Sequence, residues 1–178
     1  MDIKNFEEKT VTTSEGAVYK GDKIITTIPW TCFTHMEHIP TELKDEIKKL
    51  KSSAIETRYV PQNLDTQAQW IYYPEEKLPY HRILVRHNFC EGSKGYWTET
   101  RQERVALFDK GDESYRYLNE YAYPLNTIDK PGIMDRLLAF AQKNEVYGLG
   151  RWGEHNHYNS DVTVERGMNL AEKVLSDQ

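Results

Sequence analysis

A short glycine-rich segment near the end of the chain carries the residues most suggestive of chemistry. Residues 148–153 read GLGRWG, a literal G-x-G-x-x-G, and follow a predicted strand at 145–149. A standard dinucleotide fingerprint also needs an immediate helix, a second parallel strand and an acidic residue about 20 positions later. Residues 154–158 read EHNHY, which starts a helix poorly, and no second strand follows. The segment therefore does not predict a standard dinucleotide site.

Two other roles fit these glycines. A turn with a positive φ angle would require glycine for conformational reasons alone. Alternatively, the strand, the glycine turn, Arg151 and the start of a final helix form a platform for an anion or a cofactor. The N–H groups at a helix start carry roughly half a positive charge, which favours anionic groups there. The sequence leaves both roles open.

The rest of the chain, which must position this segment, predicts an α+β fold. Pro, Gly, Asn and Asp signals separate a series of predicted strands, for which a mostly antiparallel sheet is the simplest arrangement. These strands are 53–60, 67–73, 82–88, 104–108 and 115–123. Before them, a hairpin is predicted at 9–20. Residues 22–30, DKIITTIPW, predict a strand buried on both faces, as in a parallel sheet.

Three helices complete the predicted fold. Thr41 is suited to cap a helix that extends to about residue 51. Pro131 marks the start of a second helix at 131–143, whose apolar face consists of Ile133, Met134, Leu137, Leu138 and Ala141. A final helix is capped by Asn159 or Ser160, and its apolar stripe consists of Val164, Met168, Ala171 and Leu175.

The composition excludes several classes of function. The 178 residues carry a net charge of −5 with a pI near 5.7, and no basic block is long enough to bind nucleic acid. No apolar run approaches the ~18 residues of a membrane span. Cys32 and Cys90 are too few for a disulfide framework, which favours a reducing, cytoplasmic location.

Metal and nucleophile chemistry find no support in the sequence. The His35/His38 and His155/His157 pairs lack further ligands at a metal-binding spacing, so no metal site is predicted. No serine or cysteine lies in a recognisable nucleophile motif.

Four segments together resemble the UDP-galactopyranose mutase family of amine-oxidase-like, FAD-dependent flavoproteins. In chain order they are DKIITTIP at 22–29, PYHRI at 79–83, AYPLN at 122–126 and GLGRWGEHNHYNSD at 148–161. They resemble, respectively, a strand that re-enters the flavin domain, a sheet strand with a substrate-facing arginine, a Tyr-Pro step and the C-terminal flavin segment. The segments occur in the family's order, and from the first to the last they span residues 22–161.

The resemblance implies a division into regions. Residues 1–30 and 145–178 would be the remnant of an FAD-binding domain, 51–124 the antiparallel substrate-binding sheet and 131–143 a linking helix. The family's N-terminal Rossmann unit has no counterpart here, so we expect a C-terminal fragment with weak or absent FAD binding. Loss of that unit would expose an apolar face near Ile24, Ile28 and Val164, through which a homodimer could form.

The resemblance also implies a substrate site for a UDP-sugar. Arg151 and Arg82 would contact the diphosphate, because a guanidinium fork suits phosphate oxygens, and Tyr123 would bind a phosphate oxygen. His157 stands where mutases commonly have a substrate tyrosine, with Tyr158 beside it. Alternatives are an ion pair of Arg151 with Glu154 or Asp161, an exposed strand position for Arg82 and simple sheet packing for Tyr123.

Cofactor contacts are implied at the start of the final helix. The family places flavin contacts at the positions of Gly150, Arg151, Asn159, Ser160 and Asp161. The alternative for Asn159 and Asp161 is helix capping. No side chain is implied as catalytic, because the flavin carries the chemistry.

The implied activity is the interconversion of pyranose and furanose forms of a UDP-sugar, an isomerase step in cell-surface polysaccharide or lipopolysaccharide biosynthesis. Reduced flavin would attack the anomeric carbon and expel UDP, and the isolated fragment would be inactive. Two alternatives remain: an amine-oxidase-type oxidase or desaturase, and a non-catalytic binding domain.

Overall fold

The computed structural model describes residues 2–33, 35–108 and 115–176. The chain divides into two units that are described separately below. Unit 1 combines Met1–Lys51 with Pro124–Gln178, and unit 2 is Ser52–Tyr123. Strands and helices occur in both units, as the predicted α+β class requires.

Within the described ranges, the structure contains ten strands and five helices. The strands are β1 (Asp2–Asn5), β2 (Thr10–Thr12), β3 (Val18–Lys20), β4 (Ile24–Thr26), β5 (Ser52–Val60), β6 (Trp70–Tyr72), β7 (Arg82–Leu84), β8 (Tyr96–Arg101), β9 (Arg116–Pro124) and β10 (Val146–Gly148). The helices are α1 (Thr41–Ile47), α2 (Gln102–Phe108), α3 (Lys130–Lys143), α4 (Gly150–Gly153) and α5 (Ser160–Ser176). Short 3-10 turns lie at Trp30–Cys32 and Arg86–Asn88.

The core of unit 1 forms where α1 and α3 pack together around a buried tryptophan. Trp30 is fully buried, and its indole N–H donates to the Gly153 carbonyl oxygen at 2.7 Å. The predicted helix at Pro131 is confirmed as α3, with Pro131 in its first turn and Leu137 fully buried. The remaining large core side chains include Phe6, Phe33, Leu43, Ile47, Ile133, Met134 and Val146.

The first helix begins differently from the prediction. Thr41 is the first helical residue, Pro40 occupies the cap position, and no side chain caps the helix. Proline suits a helix start because its fixed φ is compatible with entry and its missing N–H costs nothing there. The α-helix ends at Ile47, and hydrogen-bonded turns continue to Leu50.

Unit 1 holds two small sheets among its described residues. Strands β1, β2 and β3 form an antiparallel sheet, in which the predicted hairpin β2–β3 turns at Gly16 with a φ of 85°. Strands β4 and β10 pair in parallel, Ile24 opposite Val146. The parallel prediction for 22–30 is therefore confirmed, but burial on both faces is wrong because Ile25 is 49% exposed.

Unit 2 is built on an antiparallel sheet whose described strands follow the order β6-β7-β8-β5-β9. Strand β8 pairs with β7, Arg82 opposite Glu99, and with β5, Ile55 opposite Arg101. Two sequence expectations fail here. The predicted strand at 104–108 lies in α2, whose sequence QERVALF is rich in helix formers. Strand β8 has no counterpart among the predicted strands, because a charged residue, Glu99, occupies a buried position where a strand pattern would have an apolar one.

The terminal helix α5 presents two adjacent stripes. Its half-buried residues Thr163, Gly167, Leu170 and Val174 recur at helical spacing and form the inner stripe. The stripe predicted from the sequence lies one position further along, and Val164, Met168 and Leu175 are 63%, 62% and 67% exposed. Ile24 and Ile28, by contrast, are partly buried against the core. Among the described helices, none is both long enough and apolar enough to cross a bilayer.

Candidate functional site

The glycines of the 148–153 segment allow close packing of backbone in unit 1. A Cβ atom at Gly148 would lie 2.8 Å from the carbonyl carbon of Gly153 and closer still to its oxygen. A Cβ atom at Gly153 would similarly meet the carbonyl oxygen of Thr26. Gly150 has a φ of 75°, which an L side chain rarely adopts. The turn interpretation therefore accounts for Gly150, and close backbone packing accounts for Gly148 and Gly153.

Arg151 lies in α4, and its half-buried side chain is directed to backbone. Its Nε and Nη2 atoms donate to the Tyr158 carbonyl oxygen at 3.3 and 2.9 Å. Glu154 accepts from Arg166 Nε at 2.7 Å and from the Gly150 N–H at 3.1 Å. Hydrogen bonding to Glu154 raises the pKa of Arg166 above its ordinary value.

Two histidines after this turn donate hydrogen bonds to backbone carbonyls at the two points where the chain leaves unit 1 and returns to it. His155 is 2% exposed, and its Nε2 donates to the Lys51 carbonyl oxygen at 3.1 Å. His157 Nε2 donates to the Pro124 carbonyl oxygen at 2.6 Å. The Leu125 N–H also donates to Lys51, at 2.8 Å. Both histidines therefore fix the backbone of unit 1 where the chain leaves it and returns.

Burial lowers the pKa of His155, because the charged ring would lose its hydration. The Lys51 hydrogen bond opposes this shift, whereas Lys130 and His157 add to it. His155 thus favours its neutral form with the proton on Nε2.

Lys130 is a buried cation that sequence reasoning missed. It is 8% exposed, and its Nζ donates to Asn126 Oδ1 at 2.7 Å and to Asn156 Oδ1 at 3.4 Å. Burial lowers the pKa of this amine. A sequence signal existed, because a lysine in the first turn of a helix opposes the helix dipole. Its amide partners link the start of α3 to the segment after Arg151.

The predicted cofactor residues surround the start of α5. The Asn159 carbonyl accepts from both the N–H and the hydroxyl of Thr163, each at 3.0 Å. Ser160 begins the helix, and Asp161 lies in its first turn, where a negative charge is favourable. The Tyr158 ring lies under the Arg166 guanidinium, 5.0 Å from its centroid. Asn159, Ser160 and Asp161 are all exposed.

Arg82 in unit 2 is a paired, mostly buried arginine. Its Nε donates to Glu99 Oε2 at 2.8 Å, and the two side chains are 15% and 10% exposed. Its guanidinium lies over the Trp70 and Tyr72 rings, 4.9 and 5.8 Å from their centroids. Burial alone would lower the pKa of Arg82, but its hydrogen bonds and the charge of Glu99 raise it overall. The alternative of an exposed strand arginine is wrong.

Tyr123 lies near Arg82 within unit 2. It belongs to β9, is half-buried, and its carbonyl accepts from the Ser53 hydroxyl at 3.4 Å. Tyr123 also contributes to raising the pKa of Arg82. The structure therefore gathers Arg82, Tyr123 and the unforeseen Glu99 in one unit. Convergence of this group with Arg151, a residue of unit 1, stays a prediction.

No metal cluster is present in the part of the chain that the structure describes: no three or more His, Cys, Asp or Glu side chains lie close enough to share an ion. Several aromatic residues of unit 2 contact one another or Arg82. Tyr73 and Tyr80 form an edge-to-face pair, with centroids 5.3 Å apart.

The architecture has clear relatives among solved structures. A reduced UDP-galactopyranose mutase matches with a TM-score of 0.66 at 19% identity, over 86% of this chain and 40% of the mutase chain. The chain has the fold of part of this mutase. A protein from Exiguobacterium sp. 255-15, provisionally named a protoporphyrinogen oxidase, matches with a TM-score of 0.54 at 10% identity, over 95% of this chain and 44% of its own.

These likenesses support the fold that the sequence resemblance implies. The chain spans less than half the length of either solved structure. No protein-family profile matches the sequence, and no curated protein is significantly similar to it. At these low identities the relatives bear on the fold alone.

Proposed function

We propose that this chain is the C-terminal part of a flavoenzyme of the UDP-galactopyranose mutase type, acting on a UDP-sugar. The observation that carries the proposal is that Arg82 and Tyr123 lie on the same unit 2 sheet, in a chain with the fold of part of a mutase. A cationic fork and a phenol on one sheet suit a diphosphate, because both donate to anionic oxygens.

The state of Arg82 bears on how it would bind such a ligand. Glu99 and the rings of Trp70 and Tyr72 hold the guanidinium in one orientation. Preorganisation of this kind lowers the entropic cost of binding. Glu99 also neutralises part of the charge, so Arg82 would orient the diphosphate, and Arg151 would supply further positive charge in the assembled site.

The residues at the start of α5 fit a flavin edge. The helix has 17 residues, its first turn is exposed, and Gly150 carries no side chain beside Thr163. Asn159, Ser160 and Asp161 offer both donors and acceptors for a heterocycle edge, with Gly150 and Arg151 beside them. When bound, the flavin would supply the nucleophile and the electrons of the reaction. This chain's residues would bind and orient the UDP-sugar, with His157 and Tyr158 beside it.

The finer parts of the proposal follow from the same resemblance. The complete enzyme would interconvert pyranose and furanose forms of the sugar in the cytoplasm, for cell-surface polysaccharide synthesis. The isolated chain would be inactive and would bind FAD weakly. An oxidase of the amine-oxidase type is the second candidate, since the Exiguobacterium protein shares the fold.

Calorimetric titration of the chain with UDP tests the proposal. We expect Arg82→Gln and Arg151→Gln each to weaken UDP binding at least about tenfold, because each removes hydrogen bonds to a charged group. Arg136→Gln is the matched control, since Arg136 is an exposed α3 arginine paired with Glu46, and it should change the affinity less than twofold.

Two results would contradict the proposal: absence of UDP binding by the wild-type chain, or equal affinity in all three variants. Thermal melts of each variant separate loss of binding from loss of folding. The oxidase alternative predicts no response to UDP.

A further inference from the structure

A second region of unit 2 with positive charge lies beside Arg82, but neither Arg82 nor Tyr123 lines it. A cleft of about 510 Å³ opens between the connection from β6 to β7 and the start of α2. Its lining includes His81, Arg101 and Arg104 as well as the carboxylates of Glu75 and Glu76. Because all lining residues belong to unit 2, the cleft is complete within that unit.

His81 lines the cleft, and its side chain is 34% exposed. Its Nδ1 atom is buried and has no hydrogen-bond partner. Its other ring nitrogen, Nε2, lies 3.9 Å from Glu99 Oε2, beyond hydrogen-bond distance. A buried polar atom without a partner costs free energy and is rare in native proteins. Because Nδ1 is fully buried, a ligand in the cleft would act on the His81 ring through its charge.

The charges around His81 favour an anion. Burial lowers the pKa of His81 most, the charge of Glu99 opposes this shift, and Arg82, Arg101 and Arg104 each add to it. Glu99 is itself held by Arg82 at 2.8 Å. With Glu99 paired, Arg101 and Arg104 supply the positive charge that an anionic group in the cleft would meet.

The rest of the cleft defines the body of the ligand. The volume of about 510 Å³ is in the range of sites for small organic molecules and exceeds what an inorganic ion needs. The ionised carboxylates of Glu75 and Glu76 can accept hydrogen bonds but cannot donate them, so they suit the hydroxyl groups of a ligand. Tyr73 adds a ring against which a carbon skeleton can pack.

We propose that this cleft binds a phosphorylated, hydroxyl-bearing small molecule of the sugar-phosphate class. Arg101 and Arg104 bind the phosphate beside the His81 ring, and Glu75 and Glu76 accept from hydroxyl groups. The inference is independent of the proposed function, since none of the residues assigned to the UDP-sugar site lines the cleft.

Binding at this site couples to a proton. A phosphate beside His81 favours the imidazolium form, because an opposite charge stabilises the protonated ring. Bound ligand therefore raises the pKa of His81, and the affinity increases as the pH falls through the range where this ring titrates. The charged groups that act on the ring or line the cleft with it are Arg82, Glu99, Arg101, Arg104, Glu75 and Glu76.

NMR of the whole chain with labelled histidine rings tests the site, with glucose 1-phosphate, inorganic phosphate and glucose as probes. We expect glucose 1-phosphate to shift the His81 ring signals and raise the pKa of His81. The Arg101→Gln/Arg104→Gln variant should weaken binding at least about tenfold. Lys77→Gln is the control, because it removes an exposed positive charge from the same connection without altering the cleft wall. Its affinity should stay within twofold.

The outcomes separate cleanly. Binding of glucose 1-phosphate without a response from His81, or with equal affinity in the double arginine variant, overturns the proposal. Equal affinity for inorganic phosphate and glucose 1-phosphate overturns the assignment of a hydroxyl-bearing body. Glu75→Gln/Glu76→Gln should remove the advantage of glucose 1-phosphate over phosphate, and an unchanged advantage would contradict the role of these carboxylates.

Discussion

Two histidines, one in each unit, show how burial can mean different things. Burial lowers the pKa of both His155 in unit 1 and His81 in unit 2. His155 donates a hydrogen bond from Nε2 to the Lys51 carbonyl oxygen and so stabilises the backbone. His81 leaves Nδ1 without a partner among charged side chains. The same direction of pKa shift therefore indicates a structural ring in one unit and a ligand-responsive ring in the other.

The arginines differ in the same way. Arg151 donates from two nitrogens to the Tyr158 carbonyl, and Arg82 meets the carboxylate of Glu99 and two aromatic rings. In unit 1 this polar side chain thus binds the backbone, whereas in unit 2 the arginine forms an ion pair with a glutamate on the sheet. Substitutions that separate these two uses should differ in size and in pH dependence.

The largest effect should follow from breaking the buried pair of unit 2. Glu99→Gln leaves the Arg82 charge without its counter-ion in a mostly buried site, and we expect a loss of about 3 kcal/mol in the free energy of unfolding. Urea unfolding measures it. The double variant Arg82→Met/Glu99→Leu should recover much of the loss, because an apolar pair carries no desolvation cost. A loss no larger than that of Asp45→Asn, in an exposed pair, would contradict the prediction.

In unit 1 the largest effect should come from backbone packing. Gly148→Ala forces a Cβ atom into the Gly153 carbonyl group, and such overpacking should cost about 3 kcal/mol. Gly167→Ala is the matched control, since a Cβ atom there meets nothing within 4 Å. Inside α5 this change should stabilise the chain by about 0.5–1 kcal/mol. Similar melting temperatures for the two variants would refute the packing role.

The two histidines should make stability depend on pH in the same direction. Because burial holds each folded pKa below 6.5, the unfolded chain takes up protons first as the pH falls. Stability is then full above about pH 6.5 and decreases as the pH falls from there toward the folded pKa values. Melting temperatures across this range should fall less steeply in His155→Gln and in His81→Gln than in the wild type.

A ligand should distinguish these two titrations. Glucose 1-phosphate should change the pH dependence that His81 contributes and leave that of His155 unaltered. Equal responses of the two rings would remove the distinction between the units.

The smallest effect on stability concerns the outer stripe of α5. Val164→Gln/Met168→Gln alters two side chains that are more than 60% exposed, so the free energy of unfolding should change by less than about 0.5 kcal/mol. If this stripe forms the proposed homodimer, light scattering should find the variant monomeric at concentrations where the wild type associates. A large loss of stability would show that the stripe packs within the chain.

Local patterns in the sequence determined several elements of this protein. The apolar spacing after Pro131 specifies α3, Gly16 permits the β2–β3 turn, and the β-branched run at 22–30 indicates parallel pairing. The glycines of 148–153 indicate a backbone constraint. Each of these depends on residues close together in the chain, where side-chain periodicity and allowed φ angles act directly.

The tertiary structure alone decided which polar groups meet. Glu99 joins Arg82 because β7 and β8 pair in one register, and Lys130 is buried because α3 begins beside Asn156. Likewise, His81 shares a cleft with Arg101 and Arg104 through the sheet and the start of α2. Arg82 and Glu99 are 17 positions apart in the chain, and Lys130 and Asn156 are 26 apart. The energies of such contacts depend on burial and geometry that no local pattern encodes.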